Sequence, residues 1–432
     1  GNMRLEVASP DSEINLQAGS QINLLGGNGN PNGEVYARLQ ADTASSQAGQ
    51  LADRVTWDAQ GLSEASQATL VAYVKDELTA ADSLNQTYIQ DKFDSISSFL
   101  DLTSPELLAE INSSNFEILP GIQVETNQLA ETTGEINLAN LRYDASPGEF
   151  TLRSSSDLNI NHNINDGFDD SGILLADDSW SINLIAGGDL TSANIFATES
   201  GAGSLTLADN TYVRTGTGDI RIHSGGDINL LDSSSVIYTA GSNAGFGTFL
   251  DGDSRVALFL NGAQNGTNGG DIFVNTQGDL NFERGSDQFV NEWLFRWGEP
   301  VSGNINLPTM WAIRFENFEQ GIGALGGGNI EIIADGDANN LSASIPTVAL
   351  HQGDFGQVGF SYTDNTFEVL NGGSLLVDIG GDITRGKFYV ENGNMNVNTK
   401  GNIGNENIDN TAALVAMGSN TQSKVISDGE MN

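Results

Sequence analysis

The sequence predicts an all-β fold, a parallel β-helix interrupted by one α-helical insertion. Three observations predict it: a short phrase that recurs in pairs, a composition rich in Gly and small polar residues, and one long stretch where both vanish. The phrase reads small residue, polar residue, apolar, any, apolar. Gly218-Asp219-Ile220-Arg221-Ile222 is followed by Gly226-Asp227-Ile228-Asn229-Leu230. Counted by the polar residue, the pairs are Glu13/Gln21, Glu149/Asp157, Asp219/Asp227, Asp271/Asp279, Asn329/Asp337, Ser374/Asp382 and Asn394/Asn402. In the last five pairs Gly precedes both members. The apolar-x-apolar step sends two side chains to one face of a strand, so Ile220, Ile222, Ile228 and Leu230 are expected in the core. Gly is expected to supply positive φ at a turn, and Asp or Asn to hydrogen-bond the local backbone there. One such strand cannot bury its own face, whereas stacked copies can.

Residues 1–42 read as β-helix rungs. Residues 43–115 break the pattern: Gly nearly disappears, and Leu70, Val71, Val74, Leu78, then Leu84, Tyr88, Phe93, Ile96, Phe99 and Leu100 recur at helical spacing. Ser104-Pro105-Glu106 has the chemistry of a helix start. This region is expected to hold three or four helices. Residues 116–432 resume the β-helix, with irregular excursions that are acidic (166–178), Gly/Asn-rich (262–270) or aromatic (Phe289, Trp293, Phe295, Trp297, Trp311, Phe315, Phe318). Ser374/Asp382 and Asn394/Asn402 repeat the phrase one short rung later, and rungs of ~20–25 residues would give roughly fifteen, a rod on the order of 70 Å. In the last three pairs the second strand loses its second apolar residue, at Asn340, Arg385 and Asn405. It should be shorter there, or face outward. Residues 321–328, rich in Gly but without Lys, read as a tight crossing of the solenoid rather than a phosphate cradle.

Gly occupies 52 of 432 positions, roughly 12% against a usual ~7%. The chain carries 57 acidic and 17 basic residues, a net charge of −40. That sign excludes nucleic acid as a natural partner and opposes docking on anionic lipid. An acidic surface keeps a long β-structure soluble. With no cysteine, thiol chemistry and disulfides are excluded. No run is long and apolar enough to insert in a membrane, no signal peptide opens the chain, and both ends read as cut from something longer.

No catalytic set emerges. His162, His223 and His351 share no metal-ligand spacing, and His162 and His223 are expected as outward residues on strands. No nucleophile elbow is present. The best candidate for carbohydrate or partner binding is the aromatic excursion, with Trp293, Trp297, Arg296, Trp311 and Arg314. There Arg255, Arg284, Arg296 and Arg314 accompany Glu292, Glu299 and Glu316. The competing reading, favoured by the usual behaviour of aromatics, is that these rings pack on the solenoid flank. No cofactor is expected. Calcium would have to sit at Asp251-Gly252-Asp253 or within 166–178, where EF-hand and nonapeptide spacings are absent.

The stretch Val213-Arg214-Thr215-Gly216-Thr217-Gly218-Asp219-Ile220, through Gly226-Asp227-Ile228 to Ser235-Val236-Ile237-Tyr238-Thr239-Ala240-Gly241, resembles the large filamentous-haemagglutinin-type exoproteins of Gram-negative bacteria. So do Leu119-Pro120-Gly121-Ile122, Ser146-Pro147-Gly148, Asp166-Gly167-Phe168, Asp178-Ser179-Trp180-Ser181, Phe318-Glu319-Gln320-Gly321-Ile322-Gly323 and Ser344-Ile345-Pro346-Thr347. The resemblance spans roughly 116–405. It implies a right-handed parallel β-helix, two-partner secretion through an outer-membrane partner, and a place outside the cell or on its surface. The implied role is that of an adhesin, contacting a receptor or glycan on a host or neighbouring cell. The alternatives are a β-helix polysaccharide lyase or glycosidase, and a rigid stalk presenting a distal toxin domain.

Overall fold

The apolar-x-apolar phrases form strands that stack in parallel register into three walls. The computed structural model describes residues 3–7, 14–16, 34–41, 55–57, 68–101, 116–245, 262–283, 290–297, 310–351, 367–404, 412–418 and 422–431. The first wall is a 12-stranded sheet, the second has six strands and the third eight. A complete rung visits them in that order. Ile220–Ser224 lies in the first wall, Ile228–Leu230 in the second and Val236–Thr239 in the third. The paired phrases are therefore the first-wall and second-wall strands of one rung. Ile220, Ile222 and Ile228 are fully buried and Leu230 nearly so. Their neighbours in register, Ile182, Leu184, Ile272, Val274, Ile330 and Ile332, belong to the same core, which runs from Ala37 to Ile403.

The polar residue of the phrase bonds the next rung rather than its own turn. Asp219, Asp271 and Asn329 each offer Oδ1 to the backbone N–H one rung on, at Asp271, Asn329 and Ser374, over 2.7–2.9 Å. A second ladder joins Asp227, Asp279, Asp337, Asp382 and Asn402 in the same way and ends on the Glu430 N–H. The preceding Gly belongs to the same device. Gly336 does not have positive φ; a Cβ there would collide with the Asp279 carboxylate that caps Asp337, and with Gly278 backbone. The expectation of positive φ holds at Gly328 (φ +105). Most phrase glycines are required because rungs meet backbone to backbone. On the outer face Asn229, Asn281 and Asn339 form an amide ladder continued by Thr384.

The rungs are longer and fewer than the last two pairs suggest. Successive ladder residues lie 38, 52, 58, 45, 20 and 28 positions apart. Twelve first-wall strands among the described residues span about 50 Å at ~4.8 Å per step. The repeat is fixed only where strands stack, so excursions between them stretch the period. The second wall thins as expected. Its last strand is Ala338–Asn339, continued by single bridges at Ile383, Ile403 and Met431.

The predicted helical insertion is corrected in extent. Ala68–Glu77 is a first-wall strand between Val35–Gln40 and Phe116–Thr126. Leu70, Ala72 and Val74 face the core, while Val71 and Tyr73 are buried on the opposite face. A strand covered on both faces loses its alternation, which is how Leu70, Val71 and Val74 imitate helical spacing. One helix of three or more turns is present among the described residues, α1 (Gln86–Asp101). Asn85 Oδ1 accepts the Thr87 and Tyr88 N–H groups at its start. Ile89, Phe93, Ile96, Phe99 and Leu100 enter the solenoid core, and Phe93 meets Trp180 edge-on at 6.0 Å. The helix packs against the strands Ala68–Glu77, Phe116–Thr126 and Ile136–Asn137. Ser104 to Glu106 lie outside the described residues. Return to β at Phe116–Thr126 agrees with expectation. Ile14–Leu16 pairs with Val55–Trp57 in a separate two-stranded sheet, and Gln21 lies outside the described residues.

Most of the irregular chain gathers over the third wall. Two excursions from successive rungs contribute Leu294–Trp297, Met310–Ile313, Thr347–His351 and Phe367–Asn371 to one antiparallel sheet. Beneath it lies a second apolar cluster of Phe168, Leu174, Tyr238, Trp293, Ile313, Phe315, Phe318, Leu325 and Tyr389. The Gly/Asn-rich excursion returns through Gly266–Thr267, paired antiparallel with Ser242–Asn243. Residues 321–328 cross tightly, since a Cβ on Gly326 would overlap Ala240 backbone.

Candidate functional site

A groove of about 780 Å³ runs along the outer face of the third wall. Its floor follows from strand register. Asn137, Asn165, Arg214 and Tyr238 stand side by side on four successive strands, flanked by Tyr212 and Val236. Alternation sends Ile136, Ile164, Val213 and Ile237 into the core and these residues outward. Arg214 is held on every side. Its Nε donates to Asn165 Oδ1 (2.5 Å) and an Nη to the Tyr238 hydroxyl (2.9 Å). The guanidinium lies 3.9 Å from the Phe168 ring centre and 4.3 Å from that of Tyr212. Burial pushes the Tyr212 and Tyr238 hydroxyls above their usual pKa, against the pull of Arg214, so both stay protonated at neutral pH.

The banks come from two excursions. On one side Asp169 accepts the Ser171 and Ile173 N–H groups (2.8 and 2.9 Å), shaping a turn through Asp170, Ser171 and Gly172. On the other stands the 3₁₀ turn Phe315–Asn317, followed by Phe318 and Glu319. Phe315 fixes both banks, edge-on to Phe168 at 5.3 Å and stacked on Tyr238 at 6.0 Å. Gln86, Glu135, Asn210 and Ser234 complete the rim. The lining thus offers amides and hydroxyls about 4.8 Å apart, one tyrosine face and one immobilised cation. Five carboxylates (Glu135, Asp169, Asp170, Glu316, Glu319) stand against that single guanidinium. Such a surface suits a ligand that is neutral or basic and rich in hydroxyls.

The aromatic excursion reaches this groove through Phe315 and Phe318, not through the tryptophans. Trp293 is fully buried. Its indole N–H donates to Gln320 Oε1 (3.0 Å), and its ring packs edge-on against Phe318 and Tyr389. It offers no face to a ligand and instead braces the groove's bank. Trp311 is half-buried and donates to Thr347 Oγ1. Arg314 lies 4.7 Å over the Phe295 ring. Arg296 and Trp297 belong to the strand Leu294–Trp297, paired with Met310–Ile313, and their side chains lie outside the described residues. So do Phe289, Arg255, Arg284 and Glu299, together with Asp251 to Asp253.

The acidic excursion is structural at its root. Asp166 is buried, ion-paired with Arg142 (2.9 Å), and accepts the Gly167 and Trp180 N–H groups. Burial raises its pKa while Arg142 opposes the rise. Among the described residues no three His, Asp or Glu side chains are grouped to hold a metal. His162 lies in an exposed turn after Leu158–Ile160, not on a strand. His223 faces outward from Ile220–Ser224 as expected, and His351 ends the strand Thr347–His351. Tyr212 and Arg214 were not singled out by sequence. The available signal was their bulk at outward positions, where the preceding rungs carry Asn137 and Asn165. Comparison with protein-family models, curated proteins and solved structures finds no match to this chain.

Proposed function

We propose that this protein is an adhesive β-helix rod that binds a neutral, hydroxyl-rich glycan in its third-wall groove. The observation that carries the reading is the register-fixed floor of Asn137, Asn165, Arg214 and Tyr238 beside the half-buried face of Tyr212. The core fixes these groups before any ligand arrives, so little ordering entropy is lost on binding. The role is attachment to a receptor or glycan of a host or neighbouring cell, not catalysis. The stretches resembling filamentous-haemagglutinin-type exoproteins and the acidic, cysteine-free composition support display outside a bacterial cell. They also support export through an outer-membrane partner acting on a longer parent chain. No helix among the described residues is long and apolar enough to cross a membrane.

A glycosidase is the second reading, favoured by carboxylates from different elements, Glu135 near one end and Glu316 and Glu319 on the 3₁₀ bank. One experiment separates the two. The full chain, Tyr212→Ala and Asn137→Ala are applied to a glycan array, and eluted glycans are checked for cleavage. Selective binding to neutral glycans, reduced about ten-fold or more in both variants and without cleavage, supports the adhesive reading. Cleavage supports the hydrolase. Absence of binding, or binding untouched by either substitution, overturns the groove as the site.

A further inference from the structure

The outer face of the first wall carries a second concavity, of about 340 Å³, that the groove does not use. It spans three rungs. Arg221 and His223 come from Ile220–Ser224, Asp271, Ile272 and Phe273 from the next strand, and Asn329 and Glu331 from the one after. Phe196 closes it from the excursion that follows Ser181–Ala186. The outward register neighbours of these residues are mixed, with Asn183 and Ile185 on one side and Asn275, Ile333, Leu376 and Asp378 on the other. Between them stand His223 and Phe273, brought together with Phe196. Phe196 stacks on His223 (4.8 Å between centres, 28° between planes), and His223 meets Phe273 at 5.2 Å.

We propose that this shelf of Phe196, His223 and Phe273 is a second carbohydrate site, independent of the third-wall groove, that takes a pyranose ring by stacking on Phe273. Phe273 stands in register between Arg221 and Glu331. A donor and an acceptor therefore flank the ring, each one strand spacing away, about 4.8 Å. Arg221 is aimed by its bond to Asp219 (2.6 Å). Asn329 is aimed by donating to Asp271 Oδ1 (3.1 Å). Glu331 makes no hydrogen bond or ion pair among the described residues, and its carboxylate is left for a sugar hydroxyl. Phe273 is only half-buried, and the Phe196 excursion is held by bonds that do not involve it, from Gln277 Nε2 to Thr198 Oγ1 and from Arg153 to the Asp189 carbonyl, so the Phe273 face is not needed to pin that excursion. Burial, then Arg221, holds His223 to about 4, which leaves the shelf uncharged at neutral pH. The pyranose C–H face suits such rings, and the volume sits at the small end of ligand pockets.

The test uses the full chain and a panel of neutral hexasaccharides (cello-, manno-, xylo- and chitohexaose) in saturation-transfer NMR and calorimetry. The expected result is that one member binds, that Phe273→Ala weakens it about ten-fold with the melting temperature nearly unchanged, and that Phe273→Tyr restores it. Measured in the Asn137→Ala background, where groove binding is weakened, the Phe273-dependent binding should persist. Glu331→Ala, at a side chain with no hydrogen bond or ion pair among the described residues, should weaken it several-fold and serves as the check if Phe273→Ala unfolds. No binding by any hexasaccharide, or unchanged binding in Phe273→Ala and Glu331→Ala, overturns the shelf. Loss through Asn137→Ala with Phe273→Ala unaffected would instead assign all binding to the groove.

Discussion

The first and second walls differ from the third in kind. The first two are built from one phrase, joined by Asp and Asn ladders and packed so closely that a methyl group does not fit at Gly336. The third is interrupted by long excursions that fold back over its outer face, and there the large groove forms. Regular stacking secures the core and leaves little room for change. The wall that is free of the phrase can carry loops, and those loops shape a ligand surface. On a ladder-bonded frame, recognition varies where excursions leave the strands, chiefly over the third wall and at Phe196 over the first.

That contrast can be broken most forcefully at the core. Ile228→Asp places an unpaired carboxylate among Leu205, Leu280 and their neighbours, a cost of several kcal/mol. Far-UV circular dichroism should show loss of the β signal. Cooperative melting near the wild-type temperature would mean the register is wrong. The next effect is smaller. Gly336→Ala drives a methyl into the Asp279 carboxylate and should cost roughly 1–3 kcal/mol in urea unfolding. Asp279→Ala leaves the Asp337 N–H without its acceptor and should cost about 1–3 kcal/mol. Because Gly336 and Asp279 serve one device, the double variant should be less destabilised than the sum. Additive losses would separate them.

The last effect, of similar size, is a pH dependence. His223 has a folded pKa of about 4, below its ordinary 6.5, because burial and Arg221 disfavour the charged ring. Between those values the unfolded chain binds the proton and the folded one does not. Stability therefore rises with pH across that window and is lost as pH falls through it, by on the order of 1–3 kcal/mol. His223→Phe should flatten that portion of a melting-temperature profile. A profile identical to wild type would contradict the assigned burial.

Where the phrase repeats, the sequence was legible: Ile220, Ile222, Ile228 and Leu230 lie in the core, and the second wall thins where its second apolar residue is lost. The role of the phrase's polar residues was not legible, because a bond to the next rung links positions 20 to 58 residues apart. Sequence offers no reason to prefer that bond over a local one. The strand Ala68–Glu77 was hidden because both its faces are covered, whereas α1 was visible because only one of its faces is. The groove was the hardest part to foresee. Tyr212 and Arg214 acquire meaning only once Asn137, Asn165 and Tyr238 are brought beside them by stacking. The excursion that did attract attention contributes Phe315 and Phe318 to the bank and keeps Trp293 underneath.

Native-state hydrogen exchange on the full chain, read by mass spectrometry, tests the two-part architecture most directly. The slowest amides should lie in Ile220–Ser224, Ile228–Leu230 and Ile272–Thr276, exchanging only through global unfolding. The Asp169 to Gly172 turn and Phe315–Asn317 should exchange orders of magnitude faster, through local opening. Equal protection of walls and excursions, or faster exchange in the first and second walls, would contradict a rigid ladder-bonded frame carrying a separate recognition surface.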